Sequence, residues 1–565
     1  MFTKSKTLSL GMLFVLLFAV ACAPAATQVP PSDESGKYYP EAPAATQAPA
    51  MPQAPAAPYV PYATAPLSSS NSSAQSWGAP PAKRQPYDTF FHDYGVNPSI
   101  DTEDDNLSTF ALDVDTGSYT IMRNYLKDGL TVPPDSVRVE EYVNYFDQGY
   151  ANPPFHQAFN ISIDGAPSPF TQTERYQMLR VGIQGYQVPD SERKDASLTF
   201  VIDVSGSMGM DNRLGLVKRS LELLVEQLDR KDSVSIVVYG TNARVVLKPT
   251  SGSNKDAILS AVYRLQPEGA TNAEAGIRLG YKIAQSAFNP EGINRLILCS
   301  DGVANVGNTE ADVILNEIRS HVKEGVTMTT IGFGMDNYND VLMEQLADNG
   351  DGFYAYVDDM REAKRLFIDN LTSTLQTIAM DAKVQVDFNP NVVSRYRLVG
   401  FENRAIADDQ FRDNSVDAGE IGAGHSVTAL YEIVPVGVEI DLPDVDDLKY
   451  QKTDLQAKSN NSNEILTIKF RYKPPDSDKS KLLVEPLLDG DVKLANSSDN
   501  FRFSAAVAEF GMLLRDSEFK GDANYEKVIE LAKTSKGADE YGYRGEFIRL
   551  VEMSKLLAEQ SFGSR

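Results

Sequence analysis

Between residues 196 and 378 the chain alternates two hydropathy patterns. Apolar runs of strand length occur at 198–203, 234–239, 244–247, 296–300, 327–333 and 353–357. Segments of helical period lie between them. Leu214, Val217, Leu221, Leu224 and Leu228 follow one another at steps of three and four, which places them on one helix face. Further helices are expected at 257–265, 273–284, 310–322 and 341–346. Such alternation predicts an α/β domain with a doubly wound, mostly parallel sheet covered on both faces. Ligands of such sheets bind beyond the carboxyl ends of the strands.

The first apolar run ends at Asp203-Val204-Ser205-Gly206-Ser207. One tight loop thus carries a carboxylate and two hydroxyls, hard oxygen ligands suited to Mg²⁺ or Mn²⁺ rather than to a soft metal. Two later loops carry the same chemistry. Thr271 lies in Gly269-Ala270-Thr271-Asn272, and Asp301 follows the run 296–299 and precedes Gly302. Both Asp203 and Asp301 sit at the carboxyl end of an expected strand. Gly206, Gly269 and Gly302 suit loops that need tight turns or positive φ. Asn272 and Asn305 lie close by, but Asn is common in turns and neither is assigned a role.

Asp203-x-Ser205-x-Ser207, Thr271 and Asp301 together resemble the metal-ion-dependent adhesion site of von Willebrand factor type A domains. The resemblance implies a Rossmann-like fold. It implies that Ser205, Ser207 and Thr271 bind Mg²⁺ (or Mn²⁺, with Ca²⁺ possible) directly or nearly so. Asp203 and Asp301 would act mainly through water, and the sixth position would stay open for an acidic group on a protein partner. Two carboxylates against a divalent cation leave the site near neutral, so the metal can take one more anionic ligand.

The flanks carry a second resemblance. The segments 107–116 (LSTFALDVDT), 138–146 (RVEEYVNYF) and 547–551 (FIRLV) are similar to a family of bacterial secreted von Willebrand factor A proteins with their own N-terminal and C-terminal domains. An N-terminal β-rich domain is expected over 87–195, the A domain over 196–378, and a β-sandwich-like plus helical domain over 379–565. Strand-like residues occupy 108–120, 160–163 and 176–183, and 139–146 has helical spacing. From 379 the period falls to two, as in Val384, Val386, Phe388 and in Leu466, Ile468, Phe470, Tyr472, which predicts antiparallel strands. The acidic stretch 441–463 reads as a long loop. Apolar stripes at 503–514, 525–532 and 547–558 read as helices. The N-terminal segment and the strands after 379 are expected to pack as one β-rich unit around the inserted A domain.

Lys4 and Lys6 precede an apolar stretch over 8–21, the length of a signal-peptide core and short for a membrane span. It ends at Ala19-Val20-Ala21-Cys22, which resembles the bacterial lipobox with Ala19 where Leu is usual. Residues 1–22 then read as a lipoprotein leader, with Cys22 lipidated and the chain anchored to a membrane of the cell envelope. Residues 23–86, rich in Pro, Ala, Ser and Gln, cannot bury enough apolar surface to order themselves and read as an extended tether. Cys299, the other cysteine, is left without an intrachain disulfide partner and is expected in the core.

The formal charge of −25 excludes a nucleic-acid binder, which needs a basic surface. Nucleotide-binding Gly-x-x-x-x-Gly-Lys-Ser/Thr, Gly-x-Ser-x-Gly and His-Glu-x-x-His motifs are absent from the sequence. Asp113-Val114-Asp115-Thr116 has the Asp-x-Asp spacing of haloacid-dehalogenase-type phosphotransferases, but no parallel βαβ series follows it before Asp203. The chain therefore reads as no enzyme. It reads as a metal-dependent protein-binding module of the adhesion type on an envelope lipoprotein. The alternative is a structural or regulatory subunit of a membrane or envelope-assembly complex.

Overall fold

The computed structural model describes residues 89–565 except 155, 171–175, 303–310, 336–337, 439–463, 476, 489–493 and 564–565. The leader, Cys22, the tether, Asn305 and the stretch 441–463 lie outside the described residues.

Before residue 196 the chain forms β1 (Thr89–Phe90), β2 (Ile100–Asp101), β3 (Leu107–Ala111), α1 (Gly117–Lys127), α2 (Val139–Asn144), β4 (Phe159–Pro167) and β5 (Gln177–Gly185). One expectation fails here. The strand-like stretch 108–120 is a strand only to Ala111, and Gly117 begins a helix. Its β-branched residues suggest a strand, but α1 buries Ile121, Met122, Tyr125 and Leu126 on one face, and tertiary burial overrides propensity.

The A domain follows as β6 (Ala196–Asp203), α3 (Arg213–Gln227), β7 (Ser233–Tyr239), β8 (Ala243–Ser251), α4 (Lys255–Tyr263), α5 (Ala273–Ser286), β9 (Ile293–Ser300), α6 (Ala311–Lys323), β10 (Thr327–Gly332), β11 (Tyr338–Asn339), α7 (Asp340–Asp348), β12 (Tyr354–Tyr356), α8 (Met360–Lys364) and α9 (Leu371–Leu375). Its sheet runs β12-β10-β9-β6-β7-β8. All neighbours are parallel except β8, which is antiparallel to β7. All eight residues of β6 are buried, as a central strand covered on both faces requires. Val201, Val237 and Leu296 pack with Ile277 and Tyr281 of α5. Phe200, Ile202 and Ile236 pack with Leu214, Val217, Leu221 and Leu224 of α3 on the other side. Cys299 is free and buried.

After the A domain come β13 (Thr377–Phe388), β14 (Val393–Val399), β15 (Gly419–Gly422), β16 (Ser426–Pro435), β17 (Glu464–Lys473), β18 (Lys481–Leu488), α10 (Asp499–Leu514), α11 (Tyr525–Thr534) and α12 (Tyr543–Gly563). Strands from both sides of the A domain share two sheets. One runs β15-β13-β17-β18, with β3 also paired to β13; the other runs β2-β14-β16-β5-β4. Phe110, Val181, Ile183, Val384, Val386, Tyr431 and Phe470 fill the core of this unit. The chain enters and leaves the A domain at adjacent points, where the Lys194 N–H donates to Gln376 Oε1 at 3.1 Å.

Buried charge joins the pieces. Arg404 donates to Asp113 Oδ2 (3.1 Å), Asp348 Oδ2 (2.9 Å) and Glu344 Oε1 (2.9 Å). Arg138 pairs with Asp340 (2.6 Å) and with Glu141. Six carboxylates (Asp113, Asp115, Glu141, Asp340, Glu344 and Asp348) thus face two guanidiniums. Burial, with neighbouring carboxylates adding to it and the arginines opposing it, pushes Glu141 up to about 8 and Glu344 up to about 7. A carboxyl raised in the folded state gives stability that is complete below its unfolded pKa and lost as the pH rises through the folded one. The melting temperature should therefore fall between pH 6.5 and 8 and level off above about 8. The expected loss is about 1 kcal/mol per pH unit for each such group. Buried His425, lowered to about 4 by burial, acts in the opposite sense only below about pH 6.5. Thermal melts by circular dichroism across this range check the slope, and Glu141→Gln with Glu344→Gln should make it shallower, with Glu140 and Asp351, also raised to about 7 by burial, keeping part of it.

Candidate metal centre

β6 ends at Asp203, which is fully buried. Its Oδ1 accepts the Ser205 N–H at 2.7 Å, and its Oδ2 accepts the Ser300 hydroxyl at 3.1 Å. The first bond folds the Asp203–Ser205 loop back on itself, and the second ties it to the end of β9. Burial pushes the Asp203 carboxyl up to about 6 against these hydrogen bonds. No ion-pairing cation lies on it among the described residues.

The second loop reaches the first through main chain. The Gly206 N–H donates to the Gly269 carbonyl at 3.1 Å and the Glu268 N–H to the Val204 carbonyl at 2.5 Å, while the Asn272 N–H reaches the Gly240 carbonyl just after β7 at 2.9 Å. Thr271 is half-buried between these ties. Gly269 has φ +70° and Gly302 has φ +130°, so both need glycine. Gly206 is not among the positive-φ residues, so its backbone sets no such demand. Asn272 caps α5, accepting the Ala275 N–H at 3.1 Å, a structural task.

Asp301 follows β9 and is buried. Its Oδ2 accepts from Arg213 at 2.7 Å. Arg213 opens α3 and lies flat on Gly334 (φ +111°), where a side chain would collide with its stem. Arg213 and Ser300 were not foreseen from the sequence. Ser300 directly precedes Asp301, which was a usable signal; the Arg213 contact spans 88 positions and left none.

The donor set fits a small hard cation. Ser205 Oγ and Ser207 Oγ stand 3.0 Å apart. Neighbouring ligands of an octahedral Mg²⁺ at about 2.0–2.1 Å from the ion are themselves about 2.9 Å apart. Ser205 and Ser207 could occupy such adjacent positions, with Thr271, Asp203 and Asp301 supplying the remaining oxygen chemistry.

Asp113 and Asp115 do not form a comparable centre. Asp113 accepts the Asp115 N–H and an Arg404 N–H, Asp115 Oδ1 accepts the Tyr354 N–H at 2.9 Å, and both are buried. They serve the junction beneath Arg404 and are not placed as an accessible nucleophile and acid.

Comparison with known proteins agrees with this architecture. The von Willebrand factor type A domain matches residues 197–369, a second von Willebrand factor family matches 85–180, and a family described as "Uncharacterized protein YfbK, C-terminal" matches 373–557. The chain is 38% identical over 473 residues to the uncharacterized protein YfbK of Escherichia coli K12, covering 82% of this chain and 80% of that protein. The chain belongs to the YfbK family. It contains a von Willebrand factor A domain, of a class that generally mediates protein–protein interaction and commonly binds a divalent metal. Human inter-alpha-trypsin inhibitor heavy chain H4 is 30% identical over 163 residues, 27% of this chain and 17% of that protein. A solved von Willebrand factor type A protein from Catenulispora acidiphila is 15% identical and covers 70% of this chain and 89% of its own, with a TM-score of 0.40.

Proposed function

We propose that the A domain docks a protein partner through a carboxylate that completes the coordination of a Mg²⁺ ion held by Asp203, Ser205, Ser207, Thr271 and Asp301. The observation that carries this reading is the convergence of three separate loops of oxygen donors at one end of the sheet, with two serine hydroxyls at the spacing of adjacent octahedral ligands. Arg213 adds to the argument. Asp203 and Asp301 contribute two negative charges, Arg213 one positive and the metal two, so the filled centre is net positive and favours an anionic ligand. Exposed Met210, on the turn that follows Ser207, offers an apolar contact beside it. The ion itself would supply Lewis acidity for the partner's carboxylate; the protein supplies the fixed donors. We place this module outside the cytoplasm, anchored through lipid on Cys22, in keeping with the leader and tether of the sequence.

Calorimetric titration of Mg²⁺ and of Mn²⁺ into the protein tests the centre. Saturable one-site binding is expected, lost in Asp203→Ala with the fold intact by circular dichroism. Partner recovery from envelope extracts should require metal and fail with the variant. Wild-type recovery in chelator would end the docking idea. Recovery of one integral-membrane complex would make the protein a subunit of that assembly.

A further inference from the structure

A second group of carboxylates lies outside the centre just described. Asp351 is in the turn between α7 and β12 of the A domain; Asp417 precedes β15 and Glu420 lies within it. Each offers an oxygen, and these oxygens lie within 4.8 Å of one another. Glu420 is only 9% exposed. Its side chain has no hydrogen-bond or ion-pair partner among the described residues, yet its carboxylate reaches into this group. Asp351 adopts φ +47°, a left-handed conformation uncommon for a residue with a side chain.

The nearest cations do not answer the charge: Arg319, whose charge bears on Asp417, donates to Asn316 Oδ1 at 3.0 Å and makes no ion pair with it among the described residues. The Arg295 guanidinium donates to Thr329 Oγ1 (2.9 Å), the Thr374 carbonyl (2.9 Å) and Thr377 Oγ1 (3.2 Å). Lys473 pairs with Asp381, a fourth carboxylate whose charge bears on Asp351, Asp417 and Glu420. The group beneath Arg404 makes the contrast: there a guanidinium sits at ion-pair distance from every carboxylate of Asp113, Asp115 and Glu344. Burial, reinforced by the neighbouring carboxylates, pushes Asp351 up to about 7 and Asp417 up to about 6. Like charges crowded around a buried carboxylate take up protons or bind a cation.

We propose that Asp351, Asp417 and Glu420 form a second divalent-cation site, suited to Ca²⁺, that clips the A domain to the flanking β-unit. The donors are all oxygen, and Ca²⁺ accepts irregular sets of six to eight such ligands at about 2.3–2.6 Å. Opposite ligands of that ion are about 5 Å apart, a span that takes in all three oxygens. Asp417 is exposed and Asp351 half-buried, so an ion and its remaining waters have a route in. The site joins residues 66 to 69 positions apart in sequence across two parts of the fold. Ca²⁺ would therefore stiffen their junction. This site stands independently of the Mg²⁺ centre.

The test uses the full-length protein, CaCl₂ alone, thermal melts and calorimetry, with Glu420→Gln, Asp351→Asn and Asp203→Ala. Ca²⁺ at millimolar concentration should raise the melting temperature of wild type and of Asp203→Ala alike. Glu420→Gln and Asp351→Asn should each lose that rise and the calorimetric event. Their metal-free melting temperatures should equal or exceed that of wild type, because each removes a repelling charge; a variant that merely unfolds would not show this. The proposal is overturned if wild type binds no Ca²⁺, if both charge-neutral variants keep the full shift, or if the shift disappears only in Asp203→Ala.

Discussion

Arg404→Ala should destabilise the protein by about 3–5 kcal/mol, the range for removing one partner of a buried ion pair. Arg404 follows β14, yet its guanidinium touches Asp113 from the N-terminal segment and Glu344 and Asp348 from α7. Without it, buried Asp113 and Glu344 lose their counter-charge, and Arg138 is the remaining guanidinium for the group. The variant should melt well below wild type at pH 8. It should recover part of the difference at pH 6.5, where protons take over some of the missing charge. Equal melting temperatures for variant and wild type at pH 8 would show that the carboxylates carry protons already.

Arg123→Ala should have an effect of the same order, about 3–5 kcal/mol, and should loosen a different seam. Arg123 lies in α1 with no exposed surface. It donates to Asp358 (2.8 and 2.5 Å), Glu362 (2.9 Å), Tyr145 Oη (2.8 Å) and Glu546 (3.3 Å). These belong in turn to the end of the A domain, to the segment after α2 and to α12. The alanine variant leaves three acids beside Tyr145 with Arg365 and Arg361 as the remaining partners of Glu362 and Glu546. Limited proteolysis should then cut α12 early, before the A-domain sheet opens. A replacement that keeps the charge and loses the fork, Arg123→Lys, should recover little, because a single ammonium cannot reach Asp358, Glu362 and Glu546 together.

The alternating layout of the A domain was plain in the sequence because β6, β7, β9 and β10 are buried on both faces and so read as unbroken apolar runs. α3 was plain because Leu214 to Leu228 keep one face. The candidate donors Asp203, Ser205 and Ser207 stood out because one short loop holds them, and Thr271 and Asp301 because each stands beside a strand or helix boundary. Illegible were the contacts that only folding creates. Arg213 reaches Asp301 and Arg404 reaches Asp113 from far along the chain, and residues 351, 417 and 420 meet across two parts of the fold. The strand-like stretch 108–120 runs four residues into α1, because the start of that helix is chosen by what it packs against and not by its β-branched residues.

The adjacent entry and exit of the A domain, marked by Lys194 and Gln376, lie at the foot of β6, while Asp203 lies at its tip. Traction on the tip therefore runs down the central strand to a single doubled root, where both chain crossings sit side by side. Arg404 and Arg123 act on this column as two guy-lines, pinned to the flanking unit away from the root.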